Sequence, residues 1–175
     1  MWNLNNLEVF LSLTNLCNAA CPQCNRTDPT TLKDAPGMPN TDWTLDQFKQ
    51  AFPPETLFHI SRLVVCGTWG DPFMCKDILP ICEYVINNSN THLHFNTNGS
   101  YRSEDWWWEF GSIVEDKATV VFDIDGIDQE MHSKYRQKTF LKKILANMET
   151  LSCTPVKIKT QTIVFKHNID YLDEI

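Results

Sequence analysis

Apolar runs of strand length alternate along this chain with patterns of helical period, which predicts βα units around a parallel sheet. Leu7 to Leu13 reads as a first strand, and residues 26–40, with three prolines and Gly37, as a loop. Thr44 with Gln47 forms a capping box and Trp43 with Phe48 a hydrophobic staple, so a helix starts there. Pro53-Pro54 ends it. Leu63 to Cys66 is a short buried strand, followed by Gly67-Thr68-Trp69-Gly70-Asp71-Pro72. Ile78, Ile81, Cys82, Val85 and Ile86 repeat at helical spacing, with Pro80 in the first turn. His92 to Asn96 is a third strand, closing on Thr97-Asn98-Gly99. Ser103 caps a helix carrying Trp106, Trp107, Trp108 and Phe110. Thr119 to Ile124 is apolar on both faces, which predicts a central strand, and it runs into Asp125-Gly126. A helix over 139–151 and a strand over 156–165 follow. The final residues read as the opening of one more helix, capped by Asp170 and cut off after about one turn.

At 175 residues, with 42% hydrophobic and 21% charged residues, the chain is expected to form a single domain, residues 1–175. Its net charge is −7, from 15 basic and 22 acidic residues, which argues against a nucleic-acid surface. No run of about 18 apolar residues is present to span a membrane. The opening Met-Trp-Asn-Leu-Asn-Asn lacks a basic region and an apolar core, so no signal peptide is expected. Seven cysteines, an odd number, then suit reduced thiols in the cytoplasm better than a disulfide framework.

Cys17, Cys21 and Cys24 stand in Cys-Asn-Ala-Ala-Cys-Pro-Gln-Cys, directly after the first strand. A structural zinc site and an ordinary ferredoxin cluster each use four protein ligands. Three thiols without a fourth suit a cubane iron–sulfur cluster that leaves one iron open. Other polar residues fall at later strand ends, where sites of parallel α/β folds gather. They are Gly70-Asp71-Pro72, Thr97-Asn98-Gly99, Asp123 with Asp125-Gly126, and Lys166-His167-Asn168.

This combination resembles the radical S-adenosylmethionine (SAM) superfamily. The likeness rests on Cys17, Cys21 and Cys24, on Gly67 to Pro72, and on Phe122-Asp123-Ile124-Asp125-Gly126 with His132 and Arg136. The pattern is similar to the branch of peptide-modifying maturases with C-terminal auxiliary-cluster domains. The resemblance implies an α/β fold, a partial parallel (βα) barrel with five units of a usual six, incomplete at its C-terminus or minimal. It implies a [4Fe–4S] cluster on the three cysteines and reductive cleavage of SAM to a 5′-deoxyadenosyl radical that abstracts substrate hydrogen. By position, Gly70, Asp71 and Pro72 would receive the SAM amino group. Asn98 would lie beside the cofactor, Asp123 would reach its ribose or methionine part, and Arg136 would pair with its carboxylate. A peptide or small-molecule substrate and a reductant such as a flavodoxin or ferredoxin would be the partners.

The sequence departs from the family where Gln23 replaces a frequent aromatic, where Asp71 replaces a glutamate beside Trp69, and where the sixth unit is missing. Two other readings stay open: an inactive cluster- or SAM-binding module acting with a partner, and a zinc-binding structural domain. Cys66, Cys75, Cys82 and Cys153 share no ligand spacing and read as small core or near-core residues. One or two of the three tryptophans belong to the core. Asp125-Gly126 reads as a turn, and His94 and His167 as structural histidines.

Overall fold

A computed structural model describes residues 6–175; the N-terminal stretch read for a leader lies outside them except for Asn6. The elements are β1 (Leu7–Leu11), α1 (Leu45–Ala51), α2 (Pro54–Leu57), β2 (Ile60–Val65), α3 (Ile78–Asn88), β3 (His92–Thr97), α4 (Glu104–Val114), β4 (Ala118–Asp123), α5 (Gln129–Ser133), α6 (Leu141–Ser152) and β5 (Lys157–Gln161). The five strands form one sheet in chain order, β1-β2-β3-β4-β5, with every neighbouring pair parallel. This is a partial parallel βα barrel, left open between β1 and β5.

Local chemistry sets the helix ends. The Thr44 hydroxyl accepts from the Gln47 backbone, and the Gln47 side chain accepts from the Thr44 N–H, closing the capping box. Ser103 caps α4 by accepting from the Trp106 N–H. Pro54 ends α1 as expected but also opens α2, because proline at a first helical position loses no hydrogen bond.

One core lies between the sheet and its helices. Leu63, Leu93, Phe95, Val120 and Phe122 face Phe48, Ile81, Val85, Phe110, Trp107 and Ile144. Phe73 is its aromatic centre, with ring centroids 4.6 Å from Trp107, 5.1 Å from Phe95 and 5.1 Å from Phe110. Burying each such ring contributes about 1.5–3 kcal/mol. Trp107 is fully buried and Trp106 packs on the core edge, whereas Trp108 is exposed. The opposite, inner face alternates with this one and carries polar residues such as Arg62, His94, Asn96 and Asp123.

β5 stops at Gln161, short of the expected Phe165. Beyond that point the Ile163 N–H donates to the Asp125 carboxylate at 2.7 Å and the Thr162 hydroxyl to the Ile124 carbonyl at 2.7 Å, which draws the chain off the ladder. The final turn is a short 3-10 helix, Ile169–Tyr171, entered from Asn168 and not capped by Asp170. Asn168 is buried and spends its side chain on the Phe165 N–H and the Asp125 and Ile163 carbonyls. Cys75 and Cys82 are buried as expected; Cys153 is exposed, at the end of α6, and Cys66 is half-buried.

Candidate active site

The cysteine loop leaves β1 and is fixed from both sides. The Ala20 N–H donates to the Gln137 carbonyl at 3.0 Å, and the Asp71 N–H donates to the Leu16 carbonyl at 2.8 Å. Within the loop, the Cys24 N–H donates to the Cys21 carbonyl at 3.0 Å. The turn after β2 crosses so closely that a Cβ on Gly70 would lie 2.5 Å from the Thr14 carbonyl oxygen and 2.7 Å from that of Leu16. Only glycine fits that crossing.

Asp71 is buried and its oxygens are filled by protein donors. They accept from the Phe73 N–H at 3.0 Å, the Thr97 hydroxyl at 2.8 Å, the Asn98 N–H at 2.9 Å and the Asn98 Nδ2 at 2.7 Å. Burial pushes the Asp71 carboxyl above its usual range, and the donors from Asn98, Thr97 and Phe73 oppose this. Asn98 Nδ2 also lies 3.0 Å from Asn18 Oδ1 and 3.8 Å from Cys17 Sγ, and its Oδ1 accepts from the Ser100 N–H. Asp71 therefore aims Asn98 at the cysteine loop, and its carboxylate keeps no free oxygen. Pro72 opens a 3-10 turn, Pro72–Met74, and is not among the cleft-lining residues.

At the end of β4, Arg136 joins two carboxylates. Its Nε donates to Asp125 Oδ2 at 2.6 Å and its Nη1 lies 3.1 Å from Asp123 Oδ2. Burial works against the guanidinium charge, but Asp123 and Asp125 outweigh it. Burial pushes the Asp123 carboxyl up to about 6, with Arg136 pulling the other way. Asp125 is fully buried and is an ion-pair partner as well as part of a turn. Beneath it, His132 Nδ1 accepts from the Asp125 N–H. The Thr139 hydroxyl donates to the Arg136 carbonyl at 2.7 Å, so His132 Nε2, at 3.0 Å, is the donor to Thr139.

Cys17, Cys21, Cys24, Gly70, Asp71, Asn98, Asp123 and Arg136 all line one cleft of about 440 Å³. Burial, then Asp71, pushes the Cys17 thiol up to about 12, while the Ala19 N–H donates to its sulfur at 3.4 Å. Burial also raises Cys21, against which Arg136 acts. Among the described residues, no three or more His, Cys, Asp or Glu converge on one point as a single metal ion requires.

The cleft also holds residues that the sequence pattern did not single out. Tyr135, the aromatic residue of its lining, packs at a tilt against Phe165 with ring centroids 4.7 Å apart and faces the Arg136 guanidinium at 5.2 Å. Cys66, Asn96, Gln161 and Ile163 complete one side, with Thr97 of the expected Thr97-Asn98-Gly99 strand end beside them. The only signal for them was strand parity, since each falls at or just past a strand end.

No family model matches the chain. A curated protein, the cysteine-type anaerobic sulfatase-maturating enzyme of Clostridium novyi (strain NT), is 30% identical over 110 residues, covering 61% of this chain and 28% of that one. Among solved structures, Streptococcus suis SuiB bound to precursor peptide SuiA matches with a TM-score of 0.73 and 13% identity, over 97% of this chain and 36% of that one. Native anSMEcpe with bound AdoMet and Kp18Cys peptide matches with a TM-score of 0.71 and 14% identity, over 97% and 47%. The chain thus spans less than half the length of each of these.

Proposed function

We propose that this chain, which has the core fold of the radical SAM enzymes and resembles their maturases, binds a [4Fe–4S] cluster and SAM in the cleft below the cysteine loop. The observation that carries the reading is the meeting of Cys17, Cys21 and Cys24 with Gly70, Asn98, Asp123 and Arg136 around a single cleft. The cluster and SAM, when bound, supply the hard chemistry: reductive cleavage of the sulfonium and a 5′-deoxyadenosyl radical that abstracts hydrogen.

The chain's own residues hold, orient and enclose. Cys17, Cys21 and Cys24 are the cluster ligands, and the Ala19 N–H and Asn98 Nδ2 approach the Cys17 sulfur as donors. The backbone of Gly67, Thr68 and Gly70 lines the cleft where an ammonium would dock, with Asp71 buttressing that turn together with Pro72. Arg136 leaves Nη2 outside its ion pairs with Asp123 and Asp125, so it can meet a carboxylate. Asp123 takes the ribose hydroxyls, and Tyr135 offers the aromatic surface that Gln23 does not.

The substrate is a peptide, a reading supported by the peptides named with two of the matched structures. The electron donor is a flavodoxin- or ferredoxin-like protein. Among the described residues no helix is long and apolar enough to cross a membrane, and all seven cysteines are free, which suits a reducing compartment such as the cytoplasm.

The test is anaerobic reconstitution followed by SAM and dithionite, with 5′-deoxyadenosine read by chromatography. Formation of 5′-deoxyadenosine supports the proposal. Iron and sulfide bound without cleavage would leave a cluster-holding module, and zinc without sulfide a structural metal domain.

A further inference from the structure

The inner face of the sheet has a charge opposite to that of the chain. Register pairs Glu8 with Arg62, Arg62 with His92, His94 with Thr119, Thr119 with Lys157, and Val121 with Lys159. Side chains alternate along a strand, so Arg62, His92, His94, Lys157 and Lys159 share the face of Asp123 and Gln161, which line the cleft. The acids on this face are already matched. Glu8 Oε1 lies 2.6 Å from Arg62 Nη1, and Asp123 pairs with Arg136. Arg62 also donates to His94 Nδ1 at 2.9 Å, which requires that nitrogen to be unprotonated, since a guanidinium accepts nothing. Lys157 and Lys159 are exposed, and neither has an ion pair among the described residues. In a chain of net charge −7, this face keeps two ammonium groups with no internal counter-charge.

We infer that Lys157 and Lys159 bind an acidic segment of the peptide substrate, while a neighbouring residue of that peptide enters the cleft. The inference rests on the reading of the cleft as the active site. Distance sets the spacing. A strand rises about 3.3 Å per residue, so Lys159 lies roughly 7 Å and Lys157 roughly 13 Å from the level of Gln161. An extended peptide covers the same distance per residue. Its acidic side chains therefore fall two to four residues from the one that reacts. A polyanion such as RNA fits poorly, because a chain of net charge −7 would repel the rest of a long backbone. A short acidic segment meets only the strip.

The experiment uses the reconstituted, iron-loaded protein at low ionic strength, where such contacts are least screened. Calorimetry compares an octapeptide of alternating Ala and Glu with its Ala–Gln counterpart. The acidic peptide should bind at least about tenfold more tightly. The Lys157→Gln/Lys159→Gln double variant should abolish that preference, and Lys142→Gln on α6 should keep it. Equal binding of the two peptides, no binding of the acidic one at about 1 mM, or equal loss in Lys142→Gln would overturn the inference. So would a single-stranded oligonucleotide that binds more tightly than the peptide through the same lysines, or charge-dependent dimerisation of the protein in sedimentation that the double variant removes. 5′-Deoxyadenosine formation without peptide should be unchanged by the double variant. Its absence from the unaltered protein would strike the cofactor reading and leave the peptide comparison readable.

Discussion

Asn98 is tied twice to Asp71, through its backbone N–H at 2.9 Å and its side-chain Nδ2 at 2.7 Å. The pair joins the turn after β2 to the end of β3 and holds Nδ2 near Cys17. Asp71→Asn removes one acceptor and places an amide donor among donors, leaving a buried group unsatisfied at about 1–3 kcal/mol. The variant should melt earlier in thermal unfolding. It should keep its iron and make at least about tenfold less 5′-deoxyadenosine per iron, a loss of roughly 1.4 kcal/mol of transition-state stabilisation. Unchanged turnover would show that the Asp71–Asn98 tie does not orient the cleft.

Gly70→Ala puts a methyl against backbone oxygens of Thr14 and Leu16, which cannot yield as a side-chain end can. The turn and the entry to the cysteine loop must separate. We expect iron incorporation after reconstitution to fall to less than half that of the unaltered protein, measured as iron per chain. Full iron content would place the cysteine loop independently of the turn.

His132 is buried, and burial holds its imidazole down to about 4, with Arg136 adding to this and Asp125 opposing it. The folded state binds this proton less readily than the unfolded chain, where histidine titrates near 6.5. The stabilisation is fully present above about 6.5 and is lost as pH falls toward 4. Asp123 acts in the other direction, since its raised pKa of about 6 favours the folded state as pH drops. Nitrogen-detected NMR isolates the histidine: at pH 5.5 the His132 ring should be neutral with its proton on Nε2. A ring protonated at that pH would contradict the buried network of Asp125, His132 and Thr139.

Much of the fold was legible because its signals are local. The capping box of Thr44 and Gln47, the spacing of Ile78, Ile81, Cys82 and Val85, and the apolar run of β4 each need only a few neighbouring residues. The misses depend on contacts distant in sequence. β5 ends early because Asp125 takes the Ile163 N–H across 38 residues, which no periodicity records. Asp125 read as a turn residue because its partner, Arg136, lies 11 residues on, beyond a separate short helix. The donors that fill the Asp71 carboxylate, Thr97 and Asn98, likewise belong to the next strand end and leave no local signal.

The cysteines divide by place. Cys17→Ala should abolish the brown chromophore of the reconstituted protein, whereas Cys82→Ala, fully buried on α3, should leave it intact. Cys66→Ala is the sharper control, because Cys66 lines the same cleft outside the three-cysteine loop. Its absorbance near the cluster band should match that of the unaltered protein. Loss of the chromophore in Cys66→Ala would make Cys66 a ligand.

The central claim is that three thiols hold a cluster whose open iron SAM completes. Electron paramagnetic resonance of the dithionite-reduced protein tests it most directly, with spectra taken before and after SAM is added. The account predicts a reduced-cluster signal whose g-values shift on SAM binding in the unaltered protein. A cluster signal that SAM leaves unchanged would contradict it.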